Sequence, residues 1–257
     1  MASHFLDVSV GASREAGKLL LRLFNKKTKL SFKADNSIVT EADLKADTLL
    51  KNTITESFPH HSIISEESGK NYQDSDYLWI IDPLDGSTNF SVKNPFFAVS
   101  IGLLYKHKPI LGVVYAPFQD ELFVAENNKG AYLNNQAITV DERATLEKSF
   151  IAFCNGRDLE SREQIVKIYK ELKMVNNKVR QVGAAALELC FVASGRFGGF
   201  IMPGVNAWDV IAGALIVKEA RGITTDFKNK RFNIHSSNII ACSPSIQEYL
   251  LEIVKKI

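Results

Sequence analysis

The chain has 257 residues, and its 31 Lys and Arg residues against 29 Asp and Glu residues leave a formal net charge of +2. This balance argues against a protein that binds nucleic acid or an anionic membrane surface, so the expected partner is a small molecule. The 46% hydrophobic content fits a globular protein with an ample core. No apolar run approaches the roughly 20 residues that cross a bilayer, and the N-terminus does not resemble a signal peptide. We therefore expect a cytoplasmic protein.

The three cysteines agree with that location. Cys154, Cys190 and Cys242 stand singly in apolar neighbourhoods, without CxxC spacing or a nearby His that would indicate zinc. We interpret them as small buried hydrophobic residues of a protein in a reducing compartment.

The first part of the chain, about residues 1–145, predicts α+β structure. Apolar residues at helical spacing predict one helix from about Phe5 to Leu23, and a second that starts after Thr40 and ends at about Ser57. Short β-like runs follow at Leu78–Ile81, Phe96–Leu104, Pro109–Tyr115, Glu121–Ala125 and Ala131–Leu133. The short links between these runs favour antiparallel pairing.

The second part, about residues 146–257, alternates between strands and helices and predicts α/β structure. We expect strands near Phe150–Phe153, near Phe200 and at Ile239–Cys242, and helices near Arg162–Leu172, Ala184–Ala193 and Trp208–Arg221. A last helix has Ser245 as its expected N-cap. Its expected buried stripe is Ile246, Tyr249, Leu250, Ile253 and Val254. We expect both parts to form a single fold over residues 1–257, with the active site between them.

The segment from Trp79 to Asn89 carries the strongest chemical signal. An apolar strand runs directly into Asp82 and Asp85, two carboxylates three residues apart. Gly86 then begins a turn or helix whose free N–H groups would suit an anion. Two close carboxylates repel each other unless a cation lies between them, and Mg²⁺ prefers such oxygen ligands together with a substrate phosphate. This arrangement is typical of phosphoryl transfer, although an Asp-Pro turn with a capped loop would also explain it.

Further acidic positions allow both a structural and a chemical interpretation. Glu66 and Glu67 follow a β-like run, where they would otherwise be charges in a solvated loop. Asp209 lies at the predicted start of a helix, where an acid favours the helix dipole. Asp43 lies three residues after Thr40 and matches a capping box. Separate acids at strand ends and helix starts are also what a shared metal cluster requires.

Five segments, in order, resemble signatures of the inositol monophosphatase family of Mg²⁺-dependent, lithium-sensitive phosphatases. They are Val39–Asp43, Glu66–Ser68, Trp79–Phe90, Val182–Leu189 and Trp208–Gly213. The resemblance implies a layered αβαβα sandwich of the inositol monophosphatase and fructose-1,6-bisphosphatase type. It also implies a homodimer.

The resemblance further implies a set of metal ligands. Glu66, Asp82 and the backbone carbonyl of Leu84 would hold one Mg²⁺ ion. Asp82, Asp85 and Asp209 would hold a second, and Glu66 is expected to reach a third, weaker ion through water. Two cations of this kind neutralise the charge that spreads over a phosphoryl group during in-line displacement.

Catalytic and substrate-binding roles are implied as well. Asp43, Glu66 and Ser87 would orient and activate the attacking water, and the backbone amides of Gly86 and Ser87 would hold the phosphate. The leaving group would contact Asp85, Gly183, Ala184 and Ala185. Lys33 lies near the position of a lysine in the family, and we interpret it as a solvated surface residue.

Met202 departs from the family pattern. Many members have a Glu seven residues before the Asp of the Trp-Asp motif, where it binds ring hydroxyls, and Met202 occupies that position before Asp209. A thioether cannot replace a carboxylate as a hydrogen-bond acceptor. The predicted activity is Mg²⁺-dependent hydrolysis of a small phosphorylated polyol, with myo-inositol 1-phosphate as the first candidate. Fructose-1,6-bisphosphatase and 3′-phosphoadenosine 5′-phosphate or NADP phosphatase activities are alternatives, and a non-catalytic metal-dependent binding or regulatory module is the alternative of a different class.

Overall fold

A computed structural model describes residues 3–26, 30–32 and 38–257, so Lys33 lies outside the described residues. The helices are α1 (His4–Phe24), α2 (Glu41–Ser57), α3 (Ser87–Ser91), α4 (Leu159–Val175), α5 (Ala185–Ala193), α6 (Ala207–Glu219) and α7 (Gln247–Lys255), the last preceded by a 3₁₀ turn at Pro244–Ile246. The strands are β1 (Leu30–Phe32), β2 (Ile38–Thr40), β3 (Ser62–Ser65), β4 (Gly69–Asn71), β5 (Tyr77–Asp85), β6 (Ala98–Tyr105), β7 (Lys108–Ala116), β8 (Glu121–Glu126), β9 (Ala131–Leu133), β10 (Gln136–Ile138), β11 (Ile151–Phe153), β12 (Val179–Arg180), β13 (Gly199–Pro203), β14 (Ile223–Thr225) and β15 (Asn238–Cys242). Within the described ranges, no helix is both long and apolar enough to span a bilayer.

Two sheets form the framework of the fold. The larger has the strand order β10-β9-β8-β7-β6-β5-β3-β4. From β5 to β9 its neighbours run antiparallel, which confirms the prediction from the short links. β3 pairs with β5 in parallel instead, so the carboxyl ends of these two strands meet at one edge. The smaller sheet has the order β12-β11-β13-β15-β14 and contains both parallel and antiparallel pairs.

Successive side chains of a strand face opposite sides of its sheet, and they show which helices cover each side. In β7, Val113 lies in the core formed with α1 and α2, whereas the next residue, Val114, lies in the core formed with α5 and α6. In β13, Phe200 likewise faces α5 and α6, and Ile201 faces α4 and α7. The order of layers is therefore α1 and α2, larger sheet, α5 and α6, smaller sheet, α4 and α7. This confirms the expected αβαβα sandwich.

Two glycines let α6 approach the larger sheet closely. Gly102 of β6 and Gly112 of β7 are paired across the two strands. A Cβ at Gly112 would lie 2.6 Å from the carbonyl oxygen of Ala212, and one at Gly102 would lie 2.9 Å from Cγ2 of Ile211. Both contacts are with α6, whose first turn contains Asp209. The glycine pair therefore sets the depth at which the Asp209 carboxylate lies.

Gly112→Ala is expected to lower the free energy of unfolding by about 1–3 kcal/mol, because α6 must move away from the sheet to admit a methyl group. Urea unfolding measures this loss. Gly11→Ala is the matched control, since a Cβ there has nothing within 4 Å and alanine favours a helix. Equal stability of the two variants would contradict the close packing of α6.

The last helix begins later than predicted. It starts at Gln247, and the prediction that Ser245 caps it is wrong, because the Ser245 hydroxyl donates to the carbonyl of Ala144 at 2.8 Å. The buried stripe is also wrong at one position, because Tyr249 is 56% exposed while Leu251 is buried. This arrangement leaves the polar phenol hydroxyl in solvent and buries an aliphatic side chain.

Candidate active site

Three carboxylates lie close together where two parallel strands and a helix meet. One oxygen each of Glu66, Asp82 and Asp209 lies within 4.8 Å of the other two. Glu66 directly follows β3, Asp82 lies in the adjacent β5, and Asp209 lies in the first turn of α6. The Glu66 amide donates to the carbonyl of Ile81 at 3.1 Å, which extends the parallel pairing to this edge of the sheet. The fold thus brings together acids that are far apart in the sequence.

Asp85 and the carbonyl of Leu84 lie beside this three-carboxylate cluster. Asp85 is buried at the end of β5, after a register shift from Asp82, and its Oδ2 accepts a hydrogen bond from the Leu187 N–H at 3.2 Å. The N–H of Leu84 donates to Asp82 at 3.0 Å, and its carbonyl oxygen lies 2.9 Å from the Ser87 hydroxyl oxygen. Asp85 is therefore a neighbour of the cluster rather than one of its three closest members.

Burial and mutual repulsion disfavour negative charge in this cluster. Burial raises the pKa of Asp82 well above its usual range, and the charges of Glu66, Asp85 and Asp209 raise it further. Burial, followed by the charge of Asp209, raises the pKa of Asp85 in the same direction. Burial and Glu66 raise the pKa of Asp209 to about 6. A divalent cation would let these groups stay charged at neutral pH, and a donor set of carboxylate and carbonyl oxygens fits Mg²⁺.

Arg157 brings positive charge to the cluster, and it was not identified from the sequence. Its Nη2 donates to Oε1 of Glu66 at 2.6 Å. It follows β11 in a loop that is held to β13 by a hydrogen bond from the Gly156 N–H to the carbonyl of Pro203, at 2.8 Å. A single arginine after a strand is not distinctive in a sequence, so only the tertiary structure reveals this contact.

Asp43 combines helix capping with a contact to the site. In the predicted capping box at the start of α2, its Oδ2 accepts from the N–H of Thr40 at 2.8 Å and from the Thr40 hydroxyl at 2.6 Å. Its Oδ1 accepts from the Ser87 hydroxyl at 2.5 Å. Burial raises the pKa of Asp43. Because a hydroxyl has one hydrogen, Ser87 donates either to Asp43 or to the carbonyl of Leu84, and a charged carboxylate is the stronger acceptor.

The backbone at the start of α3 requires a glycine. Gly86 has a φ of 91°, in the left-handed region, and Ser87 is the first residue of the helix. A Cβ at Gly86 would lie 3.0 Å from the carbonyl oxygen of Phe96 and 3.2 Å from Cβ of Ala184. Conformation and space together therefore favour glycine at the position whose amide is expected to face a phosphate.

A cavity of about 410 Å³ lies in front of these groups. The predicted site residues that line it are Glu66, Asp82, Leu84, Asp85, Gly86, Ser87, Gly183, Ala185 and Asp209. Asp43 and Ala184 lie behind this lining, where Asp43 contacts Ser87 and Ala184 lies against Gly86. On the side of the smaller sheet, the lining residues are Cys154, Asn155, Gly156, Arg157, Arg162 of α4, Gln181, Met202 and Asn206.

Glu188 is a second residue that was not identified from the sequence. It is fully buried in α5, where its Oε1 accepts from the Val182 N–H at 3.0 Å and its Oε2 accepts from the Cys154 thiol at 2.9 Å. Burial raises the pKa of Glu188 to about 7. All three cysteines are buried as predicted, but the Cys154 thiol has a polar partner and borders the cavity. A lone acid within the apolar run Ala184–Ala193 is the sequence signal that points to Glu188.

Glu188→Gln is expected to remove a pH-dependent cost of folding. The pKa of Glu188 is about 7 in the folded protein against an ordinary value of 4.5, so the folded state binds the proton more tightly. The contribution of this group to stability therefore falls as pH rises from 4.5 to 7. Relative to the wild type, the variant should gain about 3 kcal/mol in free energy of unfolding across that interval.

Urea unfolding of the metal-free proteins at pH 5 and pH 8 measures this gain. Glu248→Gln, at an exposed position of α7, is the control and should show no comparable change between the two pH values. A Glu188→Gln variant whose stability relative to the wild type is the same at both pH values would contradict the raised pKa.

Comparison with known proteins relates the chain to one family. The sequence model of the inositol monophosphatase family matches residues 1–257. A putative Nus factor SuhB from Neisseria meningitidis serogroup B is 37% identical over 97% of each chain, and inositol monophosphatase 1 of Solanum lycopersicum is 36% identical over 96% of this chain and 94% of its own. The crystal structure of extragenic suppressor protein suhB from Bartonella henselae is 35% identical, with a TM-score of 0.94 and coverage of 99% of each chain. Sequence, layered fold and acidic cluster agree: this chain belongs to the inositol monophosphatase family.

Proposed function

We propose that this protein is a Mg²⁺-dependent phosphomonoesterase that hydrolyses a small phosphorylated polyol. The observation that carries the proposal is the convergence of Glu66, Asp82 and Asp209 in a cavity that also contains Ser87, itself bonded to Asp43. A carboxylate cluster of this kind provides ligands for divalent cations, and the hydroxyl–carboxylate pair provides a proton acceptor beside it. Family membership supports the same class of reaction.

The residues present fit a site for Mg²⁺. Glu66, Asp82 and the carbonyl of Leu84 would hold one ion, and Asp82, Asp85 and Asp209 would hold a second. A third ion would be reached by Glu66 through water. When bound, Mg²⁺ supplies positive charge that offsets the charge of the phosphoryl oxygens and lowers the pKa of water.

Ser87 and Asp43 would position the attacking water. When the Ser87 hydroxyl donates its hydrogen to Asp43, its oxygen keeps lone pairs that accept a hydrogen bond from water. The raised pKa of Asp43 makes this carboxylate a better proton acceptor than an exposed aspartate, and Glu66 would assist. The amides of Gly86 and Ser87 would hold the phosphate. The leaving group would contact Asp85, Gly183 and Ala185, with Ala184 behind them.

As the substrate, we propose myo-inositol 1-phosphate as the first candidate, which the name of the tomato relative supports. Met202 lines the cavity and offers no carboxylate to ring hydroxyls, so fructose 1,6-bisphosphate, 3′-phosphoadenosine 5′-phosphate and NADP are the alternatives. We also propose a homodimer that lithium inhibits. Light scattering and a lithium titration of activity test these two properties.

A phosphate-release assay with these four substrates, in Mg²⁺ and in EDTA, tests the proposal. We expect release from at least one substrate in Mg²⁺ and none in EDTA. The neisserial relative is named as a putative Nus factor, so a non-catalytic binding or regulatory module is the competing outcome. A folded protein that binds Mg²⁺ but releases phosphate from none of the four would favour that module.

A further inference from the structure

One face of α2 is hydrogen-bonded to both segments that carry the proposed metal ligands. Residues four positions apart lie on the same face of a helix, and charged side chains occupy three such positions, Asp43, Asp47 and Lys51. Each is hydrogen-bonded to a serine outside the helix, and the partners in the same order are Ser87, Ser65 and Ser68. The first of these serines comes two residues after Asp85, and the other two flank Glu66 and Glu67. The position of α2 is therefore tied to that of the ligands.

The middle contact of this face, between Asp47 and Ser65, is buried. Ser65 is fully buried, and Asp47 is 5% exposed. The Ser65 hydroxyl donates to Oδ1 of Asp47. The contact between Lys51 and Ser68 lies at the surface instead. Burying a carboxylate costs free energy, which one hydrogen bond only partly offsets. The buried pair therefore favours a role in fixing position rather than in adding stability.

The alternation of side chains along β3 explains how this contact affects Glu66. Ile63 lies in the core formed with α1 and α2, and Ser65, two residues later, faces the same side and contacts α2. The next residue, Glu66, lies on the opposite side, near Asp209 of α6. Its N–H donates to the carbonyl of Ile81 at 3.1 Å, so its backbone still follows the sheet. A rotation of the strand end at Ser65 would therefore turn the Glu66 carboxylate away from the site.

The outer neighbour of β3 offers little support against such a rotation. There β3 pairs with β4, a strand of three exposed residues at the edge of the larger sheet. The last pair joins Ser65 to Gly69, across the turn that contains Glu66 and Glu67. Short exposed segments of this kind open more easily than buried strands. The hydrogen bond to Asp47 is therefore a buried contact that keeps this turn in place.

We propose that Asp47 is a positioning residue of the metal site: by holding Ser65 at the end of β3, it directs the Glu66 carboxylate towards the bound cation. The inference rests on the proposed phosphomonoesterase function. Asp47 does not line the part of the cavity that the structure describes, so it acts through Ser65 and Glu66 rather than on the cation or the substrate. Loss of the hydrogen bond should weaken Mg²⁺ binding more than it lowers kcat at saturating Mg²⁺.

Calorimetric titration of the substrate-free protein with MgCl₂ tests the inference. Asp47→Ala and Ser65→Ala should each raise the Kd for Mg²⁺ by about tenfold, as expected when an outer contact of a metal ligand is lost. The double variant should lose little more than either single variant, because the two side chains form one contact. Thr48→Ala is the matched control with unchanged affinity, since Thr48 is exposed in the same helix and its hydroxyl donates to the carbonyl of Leu44. A wild-type Kd in the Ser65→Ala variant would overturn the inference.

Asp47→Asn separates the hydrogen bond from the negative charge. Asparagine keeps an oxygen acceptor for the Ser65 hydroxyl in a side chain of the same shape, so the Kd for Mg²⁺ should rise by no more than about threefold. If the charge of Asp47 attracted the cation directly, Asp47→Asn would bind Mg²⁺ as weakly as Asp47→Ala, and Ser65→Ala would bind it like the wild type. That result would overturn the positioning role.

A purely structural role of the pair predicts a different result. Urea unfolding in EDTA would then show less stable variants, while the Mg²⁺ affinity of the folded variants stayed at the wild-type value, and this outcome would also refute the inference. In phosphate-release assays, the Mg²⁺ concentration that gives the half-maximal rate should rise by about tenfold in both Ala variants. The rate at saturating Mg²⁺ should stay close to that of the wild type.

The calorimetric measurement also separates this inference from the proposed function. If no substrate releases phosphate but the Mg²⁺ affinities follow the expected pattern, only the enzymatic proposal fails. If phosphate is released but Ser65→Ala binds Mg²⁺ as tightly as the wild type, only the positioning role fails. A wild-type protein that does not bind Mg²⁺ would refute both.

Discussion

Asp82→Asn is expected to abolish Mg²⁺-dependent phosphate release, with a loss of at least about 10³-fold in kcat. Asp82 is 2% exposed, lies within reach of both Glu66 and Asp209, and is the residue that we assign to two metal ions. An amide replaces a charged ligand oxygen with a neutral one, so both ions would bind more weakly. Phosphate release over a series of Mg²⁺ concentrations, at saturating substrate, measures the loss. Asp76→Asn removes an exposed carboxylate that pairs with Lys106 and serves as the control with unchanged activity.

The same substitution is expected to stabilise the metal-free protein. The pKa of Asp82 in the folded protein lies well above its ordinary value of 3.8, so the folded state binds the proton more tightly than the unfolded state does. The stability that this group contributes is therefore present at acid pH and is lost as pH rises towards the folded-state pKa. Asparagine has no proton to lose.

Urea unfolding in EDTA should therefore show a more stable variant at pH 8, with a difference from the wild type that shrinks towards pH 4. Mg²⁺ should reverse the order, because it binds the folded wild type more tightly than the folded variant. An Asp82→Asn protein that keeps Mg²⁺-dependent activity would refute the assignment of the metal site. One that is less stable than the wild type in EDTA at pH 8 would refute the repulsion between the buried carboxylates.

Local patterns were sufficient to predict the capping box of Asp43 and the position of Asp209 at the start of a helix. In the structure both acids occupy the third position of a helix and accept a hydrogen bond from the N-cap backbone, so Asp209 also belongs to a capping box. A carboxylate has two oxygens, and capping uses one of them. In Asp43 the other oxygen binds Ser87, and Asp209 also lies within reach of Asp82. A carboxylate that caps a helix can therefore also have a chemical function through its second oxygen.

Local sequence patterns do not predict contacts between segments that are far apart in the sequence. The strand and helix periods were enough to predict the main elements and their buried faces. The layered sandwich was expected from the resemblance to the family. The parallel pairing of β3 with β5, which places Glu66 beside Asp82, depends on the path of the chain between them and has no local signal. Arg157 was missed for the same reason, since a single charge acquires meaning only from what the fold packs against it. Glu188 stands out as a lone acid in an apolar run, but its bond to Cys154 depends on the fold.

Ser87→Ala is expected to lower kcat by about 10²-fold and to leave the affinity for Mg²⁺ close to that of the wild type. The hydroxyl donates to Asp43 at 2.5 Å and is the group proposed to accept a hydrogen bond from the attacking water. Ser87→Thr keeps the hydroxyl and should retain activity. Ser91→Ala, in the same helix, removes a hydroxyl that donates to the carbonyl of Thr88 and is the matched control. Steady-state kinetics and a Mg²⁺ titration measure the two effects separately.

The partner of Ser87 gives a test of whether the two side chains act together. Asp43→Asn should also lower kcat, and the double variant should lose little more than the Ser87→Ala variant, because the hydroxyl and the carboxylate act as one unit. Asp43→Asn alone weakens the capping box and should cost about 1 kcal/mol of stability, whereas Ser87→Ala leaves that cap intact. Activity losses that multiply in the double variant would show that Asp43 acts through the helix rather than through Ser87. If the Ser87→Ala protein were as active as the Ser91→Ala control, the Ser87 hydroxyl would have no role in the reaction.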